Sequence, residues 1–598
     1  MILQSLAELY EELGKRGKAA EEGWSPAKVT HRIEIDRNGR LLRIVSLMET
    51  VQRGKKMIEI PKIVLVPEQA KRSSGVKANF LCDGIGYFLG VDQDKPGRAE
   101  ECFRAAKALH HAVLDGCPSD TAKAILAFFD SWEPAKALEQ PVIARYLPGL
   151  WDVGNCLFFV EEADALQDEA IREAWDSYRE APGQSGGDAG VCLVTGKTHQ
   201  KIARLHPVIK GVMGAQSSGA TLVGFNGDSF CSYGHDGEQG RNAPISEKAA
   251  FAYTTALNAL LADREHVKIF GDTTVVYWAQ HAETEVQDIF AAILGGDENL
   301  IDDRTLDSVL QHMKEGVTAD LNGVRIDPEE PFYILGLAPN AARVSVRFFL
   351  RNTFGRTVQN LAAHQERMRI VGPSWKKAAI PLWQTLKATV NPHSKDSAAS
   401  PLLAGSLLRA VLTDGLYPES MFQGIMLRVF SDQDSDGTAG KKTEKVSYTK
   451  AAFIKAYLLQ NKKQRWESEI TMAVNENCKE ISYVLGRLFS VLENIQMQAN
   501  PGINSTIKDR YFNSACATPA SVFPTLLKLA NAHLDKLKDN KGASIFLRKK
   551  VGALMDQILM PDEGTPLPKR LSLEEQGAFV LGYYQETQAR YAGKKEEQ

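Results

Sequence analysis

The opening residues, MILQSLAELYEELGKR, place Ile2, Leu6, Leu9 and Leu13 on one stripe of a 3.6-residue helix, with Glu8, Glu11 and Glu12 among them. This spacing predicts an amphipathic first helix. HRIEIDRNGRLLRIV then alternates Ile33 and Ile35 with polar residues and turns at Asn38-Gly39, a strong hairpin signal. MIEIPKIVLV (57–66) is strand-like and broken by Pro61, and a second Asn-Gly turn is expected at Asn226-Gly227, between TLVGF and DSFCSYG. DTTVVYWA (272–279) and the pair FYILGL and RVSVRFFL (332–350) add further strands. Helical stretches at 100–114 and 247–263 lie between them, without the regular strand–helix–strand rhythm of a doubly wound sheet.

Beyond about residue 400 the alternation fades and helical spacing takes over. Ile481, Val484, Leu485, Leu488, Leu492 and Ile495 form one apolar face, closed by Asn500-Pro501-Gly502. Phe523, Leu526, Leu527, Ala530, Leu534 and Leu537 form a second, with Pro524 read as part of a first turn. Val551, Leu554, Met555, Ile558 and Leu559 form a third, and Ser572 with Glu575 is spaced as a capping box for a fourth. The expected architecture is an α+β N-terminal region with mixed or antiparallel sheets, followed by an all-α C-terminal helical bundle. Its expected divisions are an α+β region over 1–370, a helical linker region over 371–471 and the bundle over 472–598. Polar, glycine-rich stretches at 182–190 and 431–446 read as loops or linkers.

Composition narrows the function classes. Lys and Arg total 71 against 74 Asp and Glu, so the net charge is −3 and any nucleic-acid contact must come from local patches. No apolar run approaches the roughly 18 residues of a membrane span, and the amphipathic N-terminus is unlike a signal peptide. Eight scattered cysteines without a CxxC pair argue against a disulfide framework or zinc ribbon and suit a reducing cytoplasm.

Three stretches imitate chemical motifs. VTGKT (194–198) lacks P-loop spacing, since five residues separate Gly190 from Gly196 and include the apolar VCLV; a strand ending in a turn is expected. DQDSDG (432–437) begins like a calcium loop, but position 443 is Thr443 and Glu444 falls one residue late, so a solvated acidic loop is expected. Cys192, His199, His206 and Cys231 lack the short chelating spacing of a zinc site. No nucleophile elbow, HExxH or metal-nuclease carboxylate cluster is evident, so no catalytic residue, metal ligand or cofactor is assigned.

Two features point toward nucleic acid. From Ala189 to Gly227, 39 residues contain no Asp or Glu, where about five are expected from the overall composition, while Lys197, Lys201, Arg204 and Lys210 remain. Eight glycines fall between Gly211 and Gly240, and Gln216, Ser217, Ser218 and Asn226 add neutral hydrogen-bonding groups suited to phosphate, sugar or base edges. The second feature is Arg53 to Asn79, with seven basic residues against Glu59 and Glu68. Either could instead be a set of tight turns or an exposed loop of no consequence. In RVSVRFFL, Arg343 and Arg347 alternate with Val344, Val346 and Phe348, as on the solvent side of a half-buried sheet.

The run IARLHPVIKGVMGAQSSGATLVGFNGDSFCSYG, continued by QGRNAPISEKAAFAYTTALNALL, resembles the large subunit of type I-C Cascade, a crRNA-guided antiviral complex. So do GDTTVVYWA, FYILGLAPNAARVSVRFF, YVLGRLFSVLE with TIKDRYFNSA, VFPTLLKLANAHL and LSLEEQGAFVLGYYQ, in order along essentially the whole chain. The resemblance implies a non-catalytic cytoplasmic protein of prokaryotes that recognises the protospacer-adjacent motif (PAM) in double-stranded DNA. It implies that the protein helps unwinding and R-loop formation and recruits a separate helicase-nuclease. The implied partners are crRNA, target DNA, the subunit holding the crRNA handle, backbone subunits and a small subunit. Protein reads a short duplex motif in such systems and base pairing reads the rest.

On this reading Lys71, Arg72, Lys77 and Asn79 are expected to contact PAM duplex, and Lys210, Gln216, Ser217, Ser218 and Asn226 to line the nucleic-acid path. The family often makes its small subunit by internal translation, for which Met472 is preferred to Met497, because a start at Met497 would remove the first bundle helix. The alternatives are a stand-alone metal-dependent nuclease, which would turn over DNA alone, and a purely architectural scaffold, which would not crosslink to a PAM-containing duplex.

Overall fold

Asn38-Gly39 closes its hairpin as the pattern requires: in the computed structural model His31–Ile35 pairs antiparallel with Leu41–Ser46, and Gly39 N–H donates to Asp36 O at 3.0 Å. The structure describes all residues except 17–18, 20, 54–55, 71–74, 147–148, 181–188, 226, 231–238, 264–265, 282–283, 296–307, 309–310, 313–314, 322–323, 374–379, 395–398, 436–442, 538–540, 560–566 and 593–598. It divides into two compact units, Met1–Pro207 with Val223–Leu257, and Val208–Leu222 with Asn258–Gln598.

The first unit holds a small mixed sheet. His31–Ile35 runs parallel to Cys156–Val160, which also pairs antiparallel with Cys82–Asp83 and Ala163–Asp164. Pro61 breaks the next strand pattern in two: Lys56–Ile60 pairs back on Glu49–Arg53, and Lys62–Pro67 pairs with Trp24–Val29. Helices Pro96–Leu114 and Asp120–Ser131 supply Phe103, Phe128 and Phe129 to an aromatic core that also contains Phe80, Phe88 and Phe158.

The second unit begins with a four-stranded antiparallel sheet ordered Lys268–Phe270, Thr273–Ala279, Pro331–Asn340, Arg343–Thr353. A register shift at Gly336/Leu337 leaves Arg347 opposite no residue, so the alternation of the edge strand does not run through. Val344 and Phe348 are buried but Val346 is 39% exposed, against the simple alternation expected from sequence. Among the described residues every helix-or-strand element after Thr353 is helical, and one hydrophobic core runs from Phe270 to Tyr584.

The four predicted C-terminal faces lie on helices Ile481–Ala499, Pro519–Lys536, Lys541–Leu559 and Leu573–Ala592. The Ser572/Glu575 box forms, with Ser572 N–H donating to Glu575 Oε2 at 2.8 Å. The second face starts earlier than read: its helix begins at Pro519, so Pro524 is inside it. A further short helix, Ile507–Ala517, opens with a Thr506/Asp509 capping box. The first and last of the four predicted helices touch backbone to backbone. A Cβ on Gly486 would lie 2.0 Å from Phe579 O, and one on Gly582 would lie 2.2 Å from Tyr483 O. Beside this contact run buried polar bonds: Tyr483 Oη to Gln585 Oε1 at 2.7 Å, Arg487 Nε to Glu586 Oε2 at 3.0 Å, and Tyr583 Oη to Glu493 Oε2 at 2.7 Å.

Two further expectations are corrected. Asp432 is not a solvated loop residue: its side chain is only 8% exposed and pairs with Lys450 Nζ at 2.7 Å, while Asp434 pairs with Lys508 Nζ at 2.6 Å. Asp436 lies outside the described residues. Around the expected Asn226-Gly227 turn, Thr221 pairs with Arg343 instead of forming a hairpin strand, and Asp228–Phe230 is a 3-10 turn. Among the described residues no helix is long and apolar enough to cross a membrane.

Replacing Gly486 or Gly582 with alanine forces the two helices apart. Overpacking costs about 1–3 kcal/mol or more, against roughly 1 kcal/mol gained in helix propensity. Denaturant unfolding of either variant is expected to show a net loss; equal or greater stability would mean that the helices do not meet this closely.

His266 joins helix ends in the same unit, with Nδ1 at 2.6 Å from Asp263 Oδ2 and Nε2 at 2.7 Å from Asp288 Oδ1. Burial opposes its charge, but hydrogen bonds and charges from the two carboxylates outweigh burial and hold the imidazole above its ordinary pKa of 6.5. The stabilisation is full below 6.5, the unfolded value, and is lost as pH rises through the raised folded value. His266→Gln should therefore lower the melting temperature most near pH 6 and least in mild alkali; a pH-independent difference would refute the charged pairing.

Candidate nucleic-acid interface

At the C-terminal end of the first unit's basic segment, one side-chain amide joins residues 69–70 to residue 79. Asn79 is 5% exposed; its Oδ1 accepts from Ala70 N at 2.8 Å, and its Nδ2 donates to Gln69 Oε1 at 2.7 Å. Its backbone N–H donates to Asp83 Oδ2 at 2.8 Å. Both ends of the amide are thus spent inside the chain, because an unpaired buried amide would be costly. Asn79, expected from the sequence to contact PAM duplex, has both ends of its side-chain amide bonded within the chain in this structure, to Ala70 and Gln69. Lys77 is exposed on the intervening loop, while Lys71 and Arg72 lie outside the described residues.

Behind Asn79, Leu81 adopts a positive φ of 53°, and its N–H donates to His110 Nε2 at 3.2 Å. His110 Nδ1 lies 2.8 Å from Ala106 O, which fixes the tautomer with the proton on Nδ1. Full burial drives this imidazole's pKa down to about 4, so it stays neutral and can accept. The loop's foot therefore rests on a neutral imidazole and on the buried Asp83 carboxylate.

The glycine-rich segment forms a second loop, in the other unit. Ile209 and Ala220 close it with two reciprocal N–H to O bonds of 2.8 and 2.9 Å. Asn258, on helix Glu247–Ala262, clamps the entry: its Oδ1 accepts from Lys210 N at 2.8 Å and its Nδ2 donates to Val208 O at 3.1 Å. Thr274 Oγ1 accepts from Met213 N at 2.9 Å, and Thr221 pairs with the edge strand at Ala342 and Val344. Gly219, at φ +101°, packs where a Cβ would lie 2.8 Å from Val208, so only glycine closes this turn.

Ile209, Val212 and Ala220 are buried, which leaves the tip turned outward. Lys210, Gln216, Ser217 and Ser218 are all exposed, and no carboxylate occurs in the loop. The structure thus brings four of the five predicted path residues onto one anchored tip; the fifth, Asn226, lies outside the described residues. The anchors Asn258 and Thr274 were not singled out from sequence. A lone Asn within the apolar run TTALNALL was the available signal.

The motif-like stretches are engaged otherwise. Residues 191–199 form the turn of a small hairpin between Ala189–Gly190 and Gln200–Lys201, with Gly196 N–H bonded to Cys192 O at 2.8 Å. Burial raises the Cys192 pKa, but hydrogen bonds from Ser246 and Thr195 outweigh it and bring the thiol down to about 7. His206 Nδ1 meets Tyr253 Oη at 2.6 Å, and Cys231 lies outside the described residues. Among the described residues, no group of three or more His, Cys, Asp or Glu could hold a metal.

An anchored, carboxylate-free tip with a lysine and neutral hydrogen-bonding groups can meet phosphate, sugar and base edges together. No curated protein matches the chain. Residues 6–591 match the family model described as CRISPR-associated protein (Cas_Csd1). The chain therefore belongs to the Cas_Csd1 family, the large subunit of type I-C Cascade.

Proposed function

We propose that the chain is the non-catalytic, duplex-reading subunit of its crRNA-guided complex: it recognises the PAM, promotes R-loop formation and recruits a separate helicase-nuclease. The observation that carries this reading is the 209–220 loop, whose base is locked by Ile209, Ala220 and Asn258 while Lys210, Gln216, Ser217 and Ser218 face outward. A loop ordered before binding loses little entropy on meeting DNA. Lys77 and Lys210 act as phosphate anchors, and Gln216, Ser217 and Ser218 as the hydrogen-bonding tip. Lys71, Arg72 and Asn226 keep their proposed roles. Its partners are crRNA, the handle-binding subunit, backbone subunits and a small subunit, in a prokaryotic cytoplasm.

We also propose Met472 as an internal start for a small-subunit product. The buried core continues across this position, since Gln585 Nε2 donates to Thr471 O at 2.9 Å and Trp466 Nε1 to Glu574 Oε1 at 2.7 Å. Such a product would expose surface that the full chain buries. Intact-mass spectrometry of the native complex should find a C-terminal fragment beginning at Met472; its absence removes this proposal.

The assembled complex should crosslink to a PAM-containing duplex through the large subunit. Lys77→Ala and Lys210→Ala should each weaken binding on all sequences and flatten the logarithmic salt slope by about 0.9. Asn79→Ala should instead lower chain stability by about 1–3 kcal/mol through loss of the loop clamp. Relaxed PAM choice with an unchanged melting curve would return Asn79 to a base-reading role, and unchanged duplex binding in both lysine variants would remove these loops from the interface.

A further inference from the structure

A cleft of about 480 Å3 opens among the C-terminal helices of the second unit. Its walls carry Tyr448 at the start of helix Tyr448–Asn461, and Tyr584, Gln588 and Tyr591 along helix Leu573–Ala592, with Glu444 and Lys508. The volume lies within the range of small-ligand sites.

Three observations define what the cleft accepts. First, its charge is largely cancelled internally: Lys508 Nζ sits 2.6 Å from Asp434 Oδ2 and 5.3 Å from the centre of the Tyr583 ring. This lysine is already spent, so the interior does not call for a phosphate. Second, Tyr584 is 4% exposed, and its hydroxyl, buried at the cleft, has no hydrogen-bond partner among the described residues. A buried hydroxyl without a partner costs free energy that a bound polar group would recover. Third, Tyr591 stands at the mouth with 61% of its surface exposed, a large ring that packing within the chain does not account for. Together with Glu444 and the Gln588 amide, the cleft presents flat aromatic surface beside both donors and acceptors.

We propose that this cleft takes one unpaired nucleobase of single-stranded DNA, stacked against the tyrosines with its polar edge toward Tyr584, Gln588 and Glu444. The inference rests on the reading of the chain as a DNA-engaging subunit, since unwinding supplies unpaired bases. A carboxylate accepts from exocyclic amino groups, so adenine and cytosine are preferred over thymine. The sugar and phosphate stay in solvent, and capture at the cleft depends little on salt.

The test uses the full chain with a single-stranded oligonucleotide carrying one 2-aminopurine, whose emission falls on stacking. Wild type is expected to quench the probe. Tyr591→Ala should lose most of the quenching and bind about tenfold more weakly, while Tyr591→Phe retains both. Glu444→Gln should narrow the difference between oligo-dC and oligo-dT. Binding by wild type without quenching, or unchanged quenching in Tyr591→Ala, overturns the cleft assignment and leaves the duplex-reading role standing. Failure of both the chain and the assembled complex to bind any DNA overturns both. If an arginine-rich peptide binds in a Tyr591-dependent way and the oligonucleotide does not, the cleft serves a protein partner, and the nucleobase assignment is wrong.

Discussion

In the C-terminal half, Gly486 meets the Phe579 carbonyl and Gly582 meets the Tyr483 carbonyl in a reciprocal backbone contact. Two helices that meet this closely cannot admit a Cβ at either point, and their separation fixes where everything beside them lies. Arg487 reaches Glu586 and Tyr583 reaches Glu493 only because the axes are near enough for short buried bonds. The same seam carries Tyr584, Gln588 and Tyr591 toward one cleft, beside the pair formed by Lys508 and Asp434. Packing density here is therefore also what arranges the chemistry.

In the two candidate DNA-facing loops, one solution recurs. Each is tied at its base by a single asparagine whose amide bonds both ways: the buried Asn79 to Ala70 and Gln69, the half-buried Asn258 to Lys210 and Val208. An amide suits this task because it offers a donor and an acceptor in one plane without charge. A charged residue in the same place would have to be paired or desolvated at higher cost. Lys77 and Lys210 are exposed on these loops, and the asparagines at their bases add no charge.

Much of the local fold was legible because period-2 and period-3.6 patterns report which side of an element is buried. The hairpin at Gly39, the break at Pro61, the edge pair 331–353 and the four C-terminal helical faces all follow from such patterns. The misreadings share a cause. A bulge puts Val346 and Phe348 on opposite faces of the strand, and the Asp432 side chain is covered because Lys450, 18 residues away, pairs with it. Asn79, whose type suits bases, is buried with both ends of its amide bonded within the chain, which the sequence did not show. The candidate interface was legible as composition, in the absence of carboxylates and the excess of glycine, and its anchors were not.

The residue order was enough to establish the element types, the succession from α+β to helices, the carboxylate-free glycine-rich segment and the family resemblance. Those properties depend on near neighbours or on the order of blocks along the chain. Only the folded arrangement decided which polar groups are consumed and which face outward, where two helices touch through glycine, and that tyrosines from two helices share a cleft. Such outcomes depend on groups tens of residues apart, and burial and pairing are properties of those meetings rather than of any residue type.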